Sequence, residues 1–181
     1  AQISTRQAEI AIKTLSEADG IQSTPRSRKL LVEALSRVGA EKLKANDAAG
    51  AEALLTKADS IEGTPMVWRN LGVARLALDK PTEAITVLDR ASKAEPLSIT
   101  LMLLGRARAL TGDLLGARAN YDKALAGEKG DNAVEVAIDW AASELLPGGD
   151  PAVAVTALEK TAAFATKSGA ASRHKAALAK A

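Results

Sequence analysis

Cysteine is absent from the 181 residues. That excludes disulfides, thiolate metal sites and a cysteine nucleophile, and it leaves the compartment open, because a cysteine-free chain survives in either redox environment. Aromatic residues make up 2%, too few for the stacking platforms on which RNA or single strands are bound. Neither charge sign dominates: 24 basic and 22 acidic residues leave a net +2. Even with a sequence pI near 8.9, this balance gives no strong pull toward nucleic acid or acidic lipid. No apolar run approaches the roughly 18 residues that span a bilayer, so direct membrane insertion is not expected of this chain, and no signal peptide is visible. Histidine occurs once, as His174 beside Arg173 and Lys175; with no partner cluster it reads as a solvated surface residue.

Alanine and leucine dominate the 47% hydrophobic share. Both favour helices, and β-branched residues are sparse, so an all-α chain is expected. Residues 4–19 carry Ile10, Ala11, Leu15 and Ala18 at helical spacing, with Gly20 as the stop signal. The stretch Ala18 to Pro25 then echoes Ala58 to Pro65: Ala, Asp, Ile, Thr and Pro recur at the same offsets. In both copies threonine can cap the next helix while proline fills its first position, where a missing N–H costs nothing. The copies are 40 residues apart, which predicts a long helix over about 26–45. Asn46-Asp47 opens a second helix over 48–59 with Ala51, Leu55 and Ala58 inward.

A pair of small residues recurs in register. Gly39, Gly72 and Gly105 are spaced by 33, and so are Ala51, Ala84 and Ala117. Small residues let two helix backbones approach closely while Leu, Trp or Tyr fill the space beside them. The fourth copy is degenerate. A helix from Ala133 to Leu146, with Asp131 as its expected cap, stops at Pro147-Gly148-Gly149. Asp150-Pro151 opens a helix to about Thr166, and Ala142 stands where glycine is expected. The step from Ala117 to Ala154 is 37, placing an insertion around Gly127 to Asn132. A short, Lys-rich helix over Ala171 to Lys180 ends the chain.

With Trp68, Leu71, Gly72, Ala84, Leu88, Ala91 and Pro96 in order, the stretch Met66 to Pro96 resembles one tetratricopeptide repeat, a helix-turn-helix unit of about 34 residues. The resemblance covers the whole chain. It implies a right-handed superhelical solenoid of about ten helices: a leftover or capping helix at 4–19, a repeat with an elongated first helix at 26–64, repeats at 65–97 and 98–130, a degenerate repeat at 131–168, and a capping helix or tail at 171–181. A start at Ala1 without Met, and a second helix with no first one before it, suggest a fragment of a longer, multi-repeat protein. The composition suggests a bacterial source.

In that family the first helix of each hairpin lines a concave groove. Carried over, the groove residues are Met66, Arg69, Val73 and Leu76, then Ile99, Met102, Arg106 and Leu110. Glu33, Ser36 and Ala40 lie before them and Val136, Asp139 and Ser143 after. The implied function is a non-catalytic scaffold that binds a partner peptide or helix, with apolar anchors for the floor and acidic groups for Arg69 and Arg106. The Lys and Asn set by which some family members hold a C-terminal carboxylate is missing: Arg69, Met102, Val73 and Arg106 occupy its places. Trp68, Trp140 and Tyr121 read as core, Trp140 with a possible edge contact. No acid–base pair or phosphate loop is marked, and no catalytic residue, metal site or cofactor is expected. The alternative is a self-assembling module, with Leu43 between Lys42 and Lys44 as the edge offered to a second chain.

Overall fold

Thr24-Pro25 and Thr64-Pro65 start two helices in the same way. In the computed structural model, which describes residues 2–21, 23–165 and 168–181, the Thr24 hydroxyl accepts from the Ser27 amide at 3.0 Å. The Ser27 hydroxyl accepts the Thr24 amide in return, also at 3.0 Å, closing a capping box. The Thr64 hydroxyl accepts from the Val67 amide at 3.3 Å. Aspartates begin three others: Asp47 and Asp113 accept from the amides of Gly50 at 2.8 Å and Gly116 at 2.9 Å, and Asp150 accepts from Ala152 at 2.9 Å.

The described residues form ten α-helices and no strand: α1 (Gln2–Ile21), α2 (Pro25–Lys44), α3 (Ala48–Ile61), α4 (Pro65–Ala77), α5 (Pro81–Ala94), α6 (Ser98–Leu110), α7 (Leu114–Leu125), α8 (Gly130–Glu144), α9 (Pro151–Glu159) and α10 (Ser168–Leu178). A 3-10 turn, Ala162–Phe164, follows α9. Packing divides the chain into two compact units, one through Ala94 and one from Glu95. The first holds the hairpins α2–α3 and α4–α5 with α1 on α2; the second holds α6–α7 and α8–α9 with α10 on α8.

The 33-residue period has two physical roots. One is the turn inside each hairpin. Asn46, Asp79 and Gly112 follow one another at that interval, and all have positive φ (59°, 56° and 84°). The left-handed region tolerates Asn, Asp and Gly best, so the turn selects those types. The other is the helix crossing. A Cβ on Gly39 would lie 2.8 Å from Leu55 Cγ, one on Gly72 2.5 Å from Leu88 Cγ, and one on Gly105 3.0 Å from the Tyr121 ring. Leu55, Leu88 and Tyr121 are fully buried. Each hairpin is too thin to enclose these side chains alone, so neighbours stack and complete the core.

Several bounds differ from the sequence reading. Helix α1 runs through Gly20 to Ile21, because a lone glycine costs a helix only about 1 kcal/mol and the chain does not turn until Thr24. Helix α2 has 20 residues against 13 in α4 and in α6, the extra two turns that the 40-residue echo requires. Asp131 does not cap α8. The cap is Lys129 without a side-chain bond, and Asp131 lies in the first turn, where its charge complements the helix N-terminus. Helix α9 stops at Glu159, and Thr166, like the side chains of Ala11 and Ala18, falls outside the described residues. Among the described residues, no helix is long and apolar enough to cross a membrane.

Candidate functional site

In the first unit, α4 carries Met66, Arg69, Val73 and Leu76. Pro65 and the Thr64 cap fix the start of the helix, so Met66 stands in its first turn and remains 47% exposed. Arg69, Val73 and Leu76 are half-buried. Among the described residues no ion pair engages Arg69. The neighbouring Trp68 packs against the core of Leu55, Leu71 and Val87, as expected, but stays half-buried. Its indole N–H donates to Asp59 at 2.6 Å, and the Arg90 guanidinium sits 4.3 Å from its ring centroid while also pairing with Asp59. A polar atom on the indole and a carboxylate nearby hold the ring at the surface end of α4.

The proposed edge at the end of α2 is not open. Leu43 packs on the cluster of Ala51, Leu55 and Leu71. Lys42 pairs with Asp47 at 2.7 Å and Lys44 with Glu41 at 2.8 Å. Of the other α2 positions, Glu33 is exposed, Ala40 half-buried and Ser36 buried, its hydroxyl without a hydrogen bond.

In the second unit, α6 divides the expected set. Ile99 is 46% and Leu110 45% exposed, whereas Met102 is 8% exposed and belongs to the core with Leu101, Tyr121, Val136 and Trp140. Helix α6 is apolar over most of its surface, with Leu101 to Leu104 buried in a row, so its solvent contact falls to its ends and to Arg106 and Arg108. Arg106 is not a free cation. Its Nε donates to Asp139 Oδ1 at 2.8 Å, and its Nη2 makes a second bond to the same oxygen. Burial works against the guanidinium's charge, but Asp139 more than offsets this and raises its pKa. Asp139 Oδ2 also accepts the Tyr121 hydroxyl at 2.9 Å, and Ser143 Oγ lies 2.7 Å from that hydroxyl. Tyr121 is stacked on Trp140 with ring centroids 5.7 Å apart.

A second buried ion pair was not legible from spacing. Arg118 donates to both oxygens of Glu144, at 2.8 and 2.7 Å, and the Trp140 indole and the Asp150 amide donate to the same carboxylate at 3.0 and 3.1 Å. Trp140 is therefore a core residue with a satisfied N–H, not an edge contact. His174 corrects another expectation. It is 5% exposed, and its Nε2–H donates to the Leu158 carbonyl at 2.7 Å, tying α10 to α9.

Between α6 and α8 a cleft of about 420 Å³ opens, lined by Leu97, Ser98, Ile99, Met102, Glu128, Asn132, Glu135 and Val136. It lies near the lower end of the range of small-molecule sites, roughly 300–1,000 Å³, and has room for one or two side chains. Glu128 and Glu135 were not singled out in the sequence; only their neighbourhood, the insertion near Gly127 to Asn132, was marked. Among the described residues, no group of three or more His, Asp or Glu is placed to hold a metal ion.

No protein-family model matches the chain, and no curated protein matches it. Among solved structures, a thermophilic TPR protein of Thermus thermophilus is similar, with a TM-score of 0.67 and 19% identity over 95% of this chain and 99% of that one. The registered glycine crossings, the left-handed turns and this likeness agree: the chain has the fold of tetratricopeptide-repeat proteins, all-α and built of repeated helical hairpins.

Proposed function

We propose that the chain is a non-catalytic scaffold that binds protein or peptide partners on the faces of its first-position helices, α4 in the first unit and α6 with α8 in the second. Stacked helical repeats provide extended surfaces of this kind. One observation carries the reading: Met66 and Ile99, at corresponding places near the starts of α4 and α6, stay 47% and 46% exposed, and Leu97 beside Ile99 stays 39% exposed. Ile99 also walls a cleft. Seating one Leu- or Phe-sized partner side chain there supplies about 1.5–3 kcal/mol. Arg69 sustains the expectation of an acidic group in the partner, since a carboxylate would meet a guanidinium with no internal ion pair. Arg106 no longer supports it, because Asp139 already holds that charge. Self-assembly through Leu43 is less favoured by the packing, since Leu43 is half-buried against Ala51, Leu55 and Leu71 and Lys42 and Lys44 pair within the chain.

The test is a selection of random displayed peptides on the full chain, followed by affinities against Met66→Asp, Ile99→Asp and the control Leu115→Asp. Leu115 is 78% exposed on the second helix of its hairpin, α7. Binders that weaken about tenfold or more with Met66→Asp or Ile99→Asp, and keep their affinity with Leu115→Asp, support the reading. Binders indifferent to both first-helix changes refute it.

A further inference from the structure

We infer that the α6–α8 cleft takes a basic amphipathic segment: an apolar side chain seated between Ile99, Met102 and Val136, with a Lys or Arg beside it facing Glu128 and Glu135. This rests on the binding-scaffold reading and names the chemistry of the partner at one of its surfaces. Three observations carry it. The cleft lining contains two carboxylates and no basic residue. Of the two other polar residues there, Ser98 is already engaged, its hydroxyl donating to the Ala124 carbonyl at 2.7 Å, so the unpaired charge of the lining, among the described residues, is that of Glu128. Helix α10 already presents a guanidinium to one of these carboxylates: Arg173, 60% exposed at its side chain, lies 2.5 Å from Glu135 Oε1. Glu135 thus already has a cation beside it, though its Oε1 accepts no hydrogen bond of good geometry, and Glu128 is the carboxylate left to an incoming cation.

Electrostatic complementarity then sets the sign of the partner. A lysine or arginine near Glu128, which has no ion pair among the described residues, gains a contact worth up to about fivefold in affinity, and an acidic group at the same place loses a similar factor. The guanidinium of Arg106 does not oppose an incoming cation, since both of its bonded nitrogens point to Asp139.

The experiment uses the full chain and the peptides selected above. Those that lose affinity with Ile99→Asp are cleft binders, and their net charge is compared with that of the unselected library. Each is then measured at low and high sodium chloride and against Glu128→Lys. Glu128 is the residue to reverse because doing so breaks no internal ion pair, whereas reversing Glu135 would also disturb Arg173. The expected result is a pool enriched in Lys and Arg, whose affinity falls about tenfold with Glu128→Lys and falls with salt. Cleft binders that are neutral or acidic, or that bind Glu128→Lys as well as the parent chain, overturn the basic-segment inference while leaving the scaffold reading intact. A pool with Met66-dependent but no Ile99-dependent members overturns the basic-segment inference alone, and a pool dependent on neither overturns both. Helicity and melting of each variant, measured alongside, must match the parent for its affinities to count.

Discussion

Replacing Gly72 by alanine tests the physical origin of the repeat. An added Cβ would sit 2.5 Å from Leu88 Cγ and 2.6 Å from its Cδ2, inside any real van der Waals contact. Leu88 is fully buried, so it cannot swing into solvent to make room. Overpacking of this kind costs about 1–3 kcal/mol, and the better helix propensity of alanine returns about 1 kcal/mol. The net expectation is a loss of up to about 2 kcal/mol, a fall in melting temperature of up to about 4–8 °C. The chain holds two tryptophans, Trp68 and Trp140. In a Trp140→Phe background, Trp68 fluorescence follows urea unfolding of the first unit, where Gly72 lies. The same substitution made on top of Leu88→Ala should stabilise by about 0.5–1 kcal/mol, because the clash is gone and only the propensity gain remains. If Gly72→Ala is neutral or stabilising in the parent chain, or costs the same in both backgrounds, close helix approach is not what selects glycine here.

Glu144→Ala leaves the Trp140 indole and the partly exposed Arg118 guanidinium without their acceptor, and should cost about 1–3 kcal/mol in urea unfolding of the second unit. Burial pushes the pKa of Glu144 up, but the hydrogen bonds from Arg118, the Asp150 amide and Trp140 outweigh it and hold the pKa below the ordinary 4.5. The stabilisation is therefore complete above that value and is lost as pH falls below it, and acid unfolding should shift to higher pH when Arg118 is replaced by Ala. The single tyrosine offers the opposite sign. Burial first, then the Asp139 carboxylate, raise the Tyr121 phenol well above 10.0, so its stabilisation is present below pH 10 and lost as pH rises past it. Phenolate absorbance should appear only as helicity is lost, and an earlier appearance would refute the burial. His174→Ala removes the bond to the Leu158 carbonyl and should speed hydrogen exchange across α10 while leaving α6 protected; equal protection in α10 would show that the bond does not hold the helix.

What was legible in the sequence was whatever repeats or acts locally. Thr-Pro and Asp-Pro starts are recognisable because cap and first-turn chemistry involve only a few adjacent residues. The glycine-alanine register is recognisable because one geometry is imposed three times. Burial of Met102 had a readable signal that the groove pattern masked: Leu101 to Leu104 is an uninterrupted apolar run, and such a helix has no solvent face to give. The ion pairs Arg106–Asp139 and Arg118–Glu144 had none. Each joins residues 33 and 26 positions apart, and on its own helix each member looks like an ordinary charged surface residue. His174 was hidden for a related reason: helix α10 offers mostly alanine as apolar surface, so the imidazole is the side chain large enough to reach α9.

The same distinction locates specificity. Residues that recur at the 33-residue period serve the turn and the crossing, which every hairpin must have, and they carry no information about a ligand. Ligand information has to reside where copies differ. The second departure from the period lies between α7 and α8, where the step from Ala117 to Ala154 lengthens to 37. There the chain needs two glycines of positive φ, Gly127 at 86° and Gly130 at 63°, to bring Glu128 to the rim of the cleft and to start α8 so that Glu135 and Val136 face it. Helix α8 accepts an uncapped first turn in consequence. The insertion thus relaxes two local rules, a side-chain cap and a non-glycine turn, at the place where two carboxylates and an apolar floor meet. If the chain binds as proposed, the α6–α8 cleft, more than the regular face of α4, is where a partner meets chemistry that the other copies do not repeat.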